Sequence, residues 1–123
     1  ARKTGARLVQ QPIPLSLKSS EQFSEAIWAK VTQRTKVLFL SQLTSTTSLL
    51  FPLNEIVRRA REQGIWKVID GEHVPGHVPL DLEDLDADFY SGNFHKWMLT
   101  PKGSAFLHVY PKVQHLIKPL VVS

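Results

Sequence analysis

Cysteine is absent from the 123-residue chain, which excludes disulfides and thiolate metal sites. No run approaches the roughly 20 apolar residues that span a bilayer, so no membrane partner is expected. No charged segment followed by an apolar run and a small-residue cleavage site opens the chain, so a cytoplasmic location is expected. Internal repeats and low-complexity tracts are also missing. The net charge is +4 and the isoelectric point is near 9.6, yet no basic stripe carries interleaved aromatics. The densest basic group, Arg58, Arg59 and Arg61, reads as the solvated face of a helix, and nucleic-acid binding is not expected. The chain opens on Ala1 rather than Met and stops on the apolar run KPLVVS, so the expectation is a piece of something longer.

What is present is ordinary globular composition, 42% hydrophobic and 21% charged, enough for one modest domain with a core. RLVQQPIP at 7–14 reads as a short strand closed by prolines. Ser19 or Ser20 offers an N-cap, with Gln22 placed to complete a capping box with Ser19. Phe23, Ala26, Ile27 and Val31 then give one apolar helix face, with Phe23 and Trp28 as core. VLFL at 37–40 suits a strand covered on both faces. After a polar loop, Pro52 can open a second helix with its stripe at Leu53, Ile56, Val57 and Ala60 and Gly64 as its stop. IWKVID at 65–70 is the next strand, LEDLDAD a helical turn, 87–91 a strand, and SAFLHVY at 104–110 another. This alternation predicts an α/β fold with a mostly parallel sheet, and ligands of such sheets lie beyond the carboxyl ends of the strands.

Three polar groups fall at those ends: the loop 41–48, Asp70 with His73, and Asn93 with His95 and Lys96. Within SGNFHKWMLTPKGSAF at 91–106, Lys96 sits between a histidine and a tryptophan. A lysine that forms imines must shed its proton, and His95 with a semi-enclosed site beside Trp97 would help it do so. A strand-end carboxylate such as Asp70 can keep a heteroaromatic nitrogen protonated. Pyridoxal phosphate needs both groups, plus donors for its phosphate; Asn93, His95 and the hydroxyls of 44–47 are candidates. His73 and His77 have a spacing used by metal ligands, but Pro75 and Gly76 interrupt a regular helix there, and no metal is expected. Lys102 and Gly103 lack Walker spacing and read as a turn.

The stretch DGEHVPGHVPLDLEDLDADFYSGNFHKWMLTPKGSAFLHV, with TKVLFLSQLTSTTSLLFPLNEIVRRAREQG upstream, resembles the class V, fold-type I pyridoxal-phosphate enzymes. The nearest look is the isopenicillin N epimerase-like branch, with cysteine desulfurases as more distant relatives. The paired signature D-x-x-H at 70–73 and N-x-H-K at 93–96 carries the resemblance. It implies a three-layer α/β/α large domain of which residues 1–123 are the central part, without its N-terminal segment or the C-terminal small domain. It also implies pyridoxal 5'-phosphate as cofactor, an amino-acid substrate and a homodimeric parent. Lys96 matches the lysine that forms the Schiff base and shuttles the α-proton, and Asp70 the partner of the pyridine nitrogen. His73 matches the contact to the phenolic oxygen, His95 and Asn93 phosphate-binding positions, and Ser45 a loop residue that faces the cofactor. Two positions depart from the pattern: Glu72 stands where a small residue is common, and Gln42 replaces a frequent histidine. Epimerisation, transamination and elimination share their opening step and stay open. So do two alternatives: a truncated or degenerate non-catalytic chain of the same fold, and a cysteine desulfurase or lyase-type member.

Overall fold

The computed structural model describes residues 4–14, 16–119 and 121. The chain divides into two compact units, residues 1–35 and 36–123. The first holds helix α1, Ser20–Trp28, whose buried residues are Phe23, Ser24, Ile27 and Trp28. Ser19 is its N-cap and accepts a hydrogen bond from the Gln22 backbone at 3.3 Å. The Gln22 side chain reaches past the cap to accept from the Lys18 backbone at 2.9 Å, so the expected box is shifted by one residue. The helix stops before Val31 because threonine hydroxyls offer its backbone other partners. The Thr35 hydroxyl takes the Thr32 backbone donor and the Thr32 hydroxyl that of Arg34. Residues 7–14, expected as a strand, run as coil, exposed except at the half-buried Gln11 and Ile13. Pro12 and Pro14 have no N–H to give a ladder.

The second unit is a four-stranded sheet in the order β1-β2-β3-β4, formed by Val37–Ser41, Trp66–Asp70, Phe89–Asn93 and Ala105–Val109. β1, β2 and β3 are parallel, and β4 returns antiparallel beside β3. The mostly parallel α/β sheet read from the sequence is therefore the observed class. Helix α2, Leu53–Glu62, turns its expected stripe of Leu53, Ile56, Val57 and Ala60 inward. Pro52 is its N-cap rather than its first residue, and Gly64 follows the Gln63 cap. Arg58 is held by Glu55 and Glu62 on the outer face, and Arg61 by Asp86, so carboxylates already engage much of the basic cluster. The short helix α3, Leu82–Leu85, is capped by the Asp81 carboxylate and ends at Asp86 in the left-handed region. A 3-10 helix, Pro111–Leu116, follows β4.

One face of the sheet makes the core: Ile69 and Tyr90 pack with Leu53 and Val57 of α2 and with Leu85 and Ala87. On the opposite face Val37, Phe39, Trp66 and Leu107 are exposed. Among the described residues, β1 stands at the edge of the sheet and α2 and α3 cover the side that Leu40 joins, so VLFL, expected to be covered on both faces, is covered here on one. β3 begins at Phe89, two residues later than its sequence suggested, because the Asp88 side chain is taken up by β2. Its Oδ2 accepts from the Lys67 backbone at 2.8 Å and faces the buried Lys67 ammonium at 3.2 Å.

Candidate active site

Parallel strands all point one way, so the loops after β1, β2 and β3 open on one edge of the sheet. Ser41, Asp70 and Ser91 lie side by side in register there. The ladder runs on for one residue, with the Gln42 backbone donating to Asp70 O and Gly71 to Ser91 O, both at 2.8 Å. Beneath this edge the buried Tyr90 hydroxyl donates to Gln42 Oε1 at 2.8 Å. Burial, and then the charge of Asp70, pushes the Tyr90 phenol above its ordinary range, so it remains a neutral donor.

Asp70 ends β2, and its Oδ1 accepts from the Glu72 backbone at 3.1 Å. That bond bends the chain sharply and sends the Glu72 and His73 side chains toward the loop after β3. Lys96 meets both: Nζ lies 2.5 Å from Glu72 Oε2 and 3.1 Å from His73 Nε2. As an ammonium it donates to each, which leaves the His73 proton on Nδ1. Asn93 Nδ2 also donates to Glu72 Oε2, at 3.5 Å. The Glu72 carboxyl is held below its ordinary value, first by the Lys96 hydrogen bond, with the nearby His73 and His95 acting in the same direction and partial burial opposing. Glu72 thus neither stands apart in solvent nor merely crowds the loop; it is the nearest charge to the lysine.

Asp70, His73, Asn93 and Lys96 are therefore brought to one edge. His95 is turned differently: its Nδ1 lies 2.8 Å from the Ser104 carbonyl. A carbonyl only accepts, so Nδ1 carries the proton, and Nε2 can donate to an anion only if the ring is doubly protonated. The neighbour expected to assist Lys96 is thus His73 in place of His95. Trp97 leans the other way and stacks on His77 with ring centroids 4.2 Å apart. His73 and His77 consequently serve different partners; among the described residues no cluster of three metal-binding side chains occurs. Ser45 lies exposed on the turn after β1, outside the contacts that join Lys96, Glu72, His73 and Asn93.

Two features escaped the sequence reading. One is the Tyr90–Gln42 bond; period-2 alternation places Tyr90 on the buried face, but nothing local names its partner. The other is Gly76 at φ +79, where a Cβ would come within 2.8 Å of Met98 and 3.0 Å of the Trp97 backbone. Only a residue without a side chain allows the His73–His77 loop to close so tightly on the lysine loop. Leu99, just beyond, is a non-glycine residue at φ 56, and its N–H closes a turn on Lys96 O at 3.3 Å.

The fold and the strand-end site define a class, and comparison with known proteins supplies its name. The profile of the aminotransferase class-V family matches residues 1–123, and the chain belongs to that family. It is 38% identical over 123 residues to an isopenicillin N epimerase of Streptomyces clavuligerus, covering all of this chain and 31% of the epimerase. A solved cysteine desulfurase from Escherichia coli superposes with a TM-score of 0.81 at 25% identity, over 98% of this chain and 29% of that one. A variant of C-DES, solved with glycine covalently linked to its PLP cofactor, gives a TM-score of 0.75 at 26% identity, over 80% of this chain and 27% of that one. The chain thus spans less than a third of the length of the curated epimerases it matches.

Proposed function

We propose that this chain is the central part of the cofactor-binding large domain of a pyridoxal-phosphate-dependent enzyme that acts on an amino acid. The observation that carries the reading is the contact of Lys96 Nζ with His73 Nε2, made one short loop beyond the Asp70 carboxylate. The donor set fits the cofactor: an amine, a carboxylate at the adjoining strand end, and an amide and an imidazole on the loop that delivers the amine. When bound, pyridoxal phosphate supplies an aldehyde for a lysine amine and a protonated ring that withdraws electrons from the substrate's Cα.

The chain's own residues then have distinct tasks. Asp70 keeps a proton on a facing ring nitrogen by supplying a fixed negative charge. Lys96 takes a proton at Nζ from one face of Cα or returns it there; epimerisation would need a proton delivered to the opposite face by another group. His73 accepts at Nε2 beside that amine and orients it. Asn93 Nδ2 is a phosphate donor once it leaves Glu72, and His95 becomes one when doubly protonated. Ser45 joins only if its turn approaches the edge. The family's relatives include an epimerase and cysteine desulfurases, which support the shared opening step rather than one outcome. A homodimeric parent is part of the same proposal.

The test is trapping. The protein is incubated with pyridoxal phosphate, reduced with borohydride, digested and mapped by mass spectrometry. Label is expected on Lys96 above Lys102, Lys112 and Lys118, and is expected to vanish from that peptide in Lys96→Ala. Uniform label on all four lysines would sink the assignment.

A further inference from the structure

We propose that Glu72 is a positioning residue, a carboxylate latch that holds Lys96 as an ammonium against His73 and restrains its reaction with carbonyl compounds until the latch opens. The proposal rests on the reading of Lys96 as the reactive amine. Its own ground is geometric. Of the groups around Nζ, Glu72 Oε2 is the nearer partner at 2.5 Å, and His73 Nε2 the other at 3.1 Å. The carboxylate is itself steered, because the Glu72 backbone is fixed on Asp70 Oδ1 and Asn93 Nδ2 approaches the same Oε2.

An amine attacks a carbonyl through its lone pair, which the ammonium lacks. A carboxylate binds the ammonium more strongly than the neutral amine, so each contact with Glu72 withholds the nucleophile. The other titratable groups of this edge are Asp70, His73 and His95. His73 can accept from either form of the amine, and the ring of His95 is committed to Ser104 O. Glu72 is therefore the group whose removal weakens the hold on the ammonium without removing its orienting imidazole. The side chains are 25% and 47% exposed, so the latch is weak enough to open and is open to salt. An anionic cofactor arriving beside Asn93 would also compete for that amide and repel the carboxylate, which favours opening on loading.

The experiment reads amine reactivity without cofactor. Full-length protein is pulsed with isotopically labelled acetic anhydride, and acetylation of each lysine is quantified by mass spectrometry. In Glu72→Gln, which keeps the shape and removes the charge, Lys96 acetylation at pH 7 is expected to rise about three- to five-fold. Lys102, Lys112 and Lys118 should not change. The gain should shrink in 1 M salt, and Glu72→Asp should restore part of the restraint. An unchanged Lys96 rate in Glu72→Gln, or a rise shared by all lysines, would overturn the latch. The borohydride trapping of the unaltered protein separates the two readings. Lys96 acetylation that follows Glu72 without selective pyridoxal-phosphate label would leave the latch standing and end the cofactor assignment. Selective label with no effect of Glu72 would do the reverse.

Discussion

Asp88→Ala is expected to cost far more stability than Lys67→Met, although the two side chains form one ion pair. Lys67 is 6% exposed, and its ammonium lies 3.2 Å from Asp88 Oδ2. The same oxygen accepts from the Lys67 backbone at 2.8 Å. Removing Asp88 therefore strands a buried ammonium and a backbone N–H at once. Breaking a buried pair in this way costs about 3–5 kcal/mol, and the orphaned donor keeps the figure near the upper end. Removing the lysine side chain leaves Asp88 its backbone donor, because that N–H belongs to position 67 whatever its side chain. Lys67→Met should then cost about 1–3 kcal/mol.

The double change Lys67→Met with Asp88→Asn keeps an acceptor for the backbone and buries no charge. It should lie within about 1 kcal/mol of the unaltered protein. Urea unfolding followed by tryptophan fluorescence reads all three, since Trp66 adjoins the pair; midpoints should move at constant slope. Equal losses from the two single changes would refute the reasoning. So would a double variant that loses as much as Asp88→Ala alone, because the stranded charge would then not be the source of the loss.

Two further outcomes follow from the same geometry. A Cβ at position 71 would overlap Oη and Cζ of Tyr90, which is wholly buried and cannot swing into solvent. Gly71→Ala should cost about 2–4 kcal/mol by overpacking and by loss of the Tyr90–Gln42 bond, and an unmoved thermal midpoint would show that the ring adapts. Glu72 has its carboxyl held below the ordinary value of 4.5 by Lys96, so its contribution is present above that value and lost as pH falls through the depressed one. Being half exposed, the contact is worth less than about 1 kcal/mol. The urea midpoints of the unaltered protein and Glu72→Gln should therefore differ slightly at pH 7 and converge as the pH falls below the ordinary carboxylate value; a gap that widens on acidification would reverse the sign of the argument.

The α2 stripe, the strands at 37–40 and 65–70, and the convergence of three polar loops on one edge were legible because they rest on local period and on the direction of parallel strands. The coil at 7–14 was not, since a short apolar run between prolines looks the same with or without a partner strand. The end of α1 was missed because the hydroxyls of Thr32 and Thr35 compete for backbone donors, and periodicity does not register that competition. The exposed face of β1 has a different cause. A continuous apolar run says that both faces can be covered, and which one is covered depends on elements far away in sequence.

The site shows the same division at finer scale. Types and spacing place Asp70, His73, Asn93 and Lys96 at one edge, because each lies at or just past a strand end. Which group touches the amine is decided by turn geometry within 70–77. The Asp70 carboxylate captures the Glu72 backbone, and Gly76 lets the loop close on Trp97. Had residue 76 carried a side chain, Trp97 and Met98 would stand further off, and the reach from His73 to Lys96 would lengthen with them. His95, adjacent to Lys96 in sequence, faces Ser104 because its backbone N–H as well as its ring nitrogen is held on the Ser104 carbonyl. Adjacency suggested the wrong imidazole, and the one that reaches the amine comes from 23 positions away.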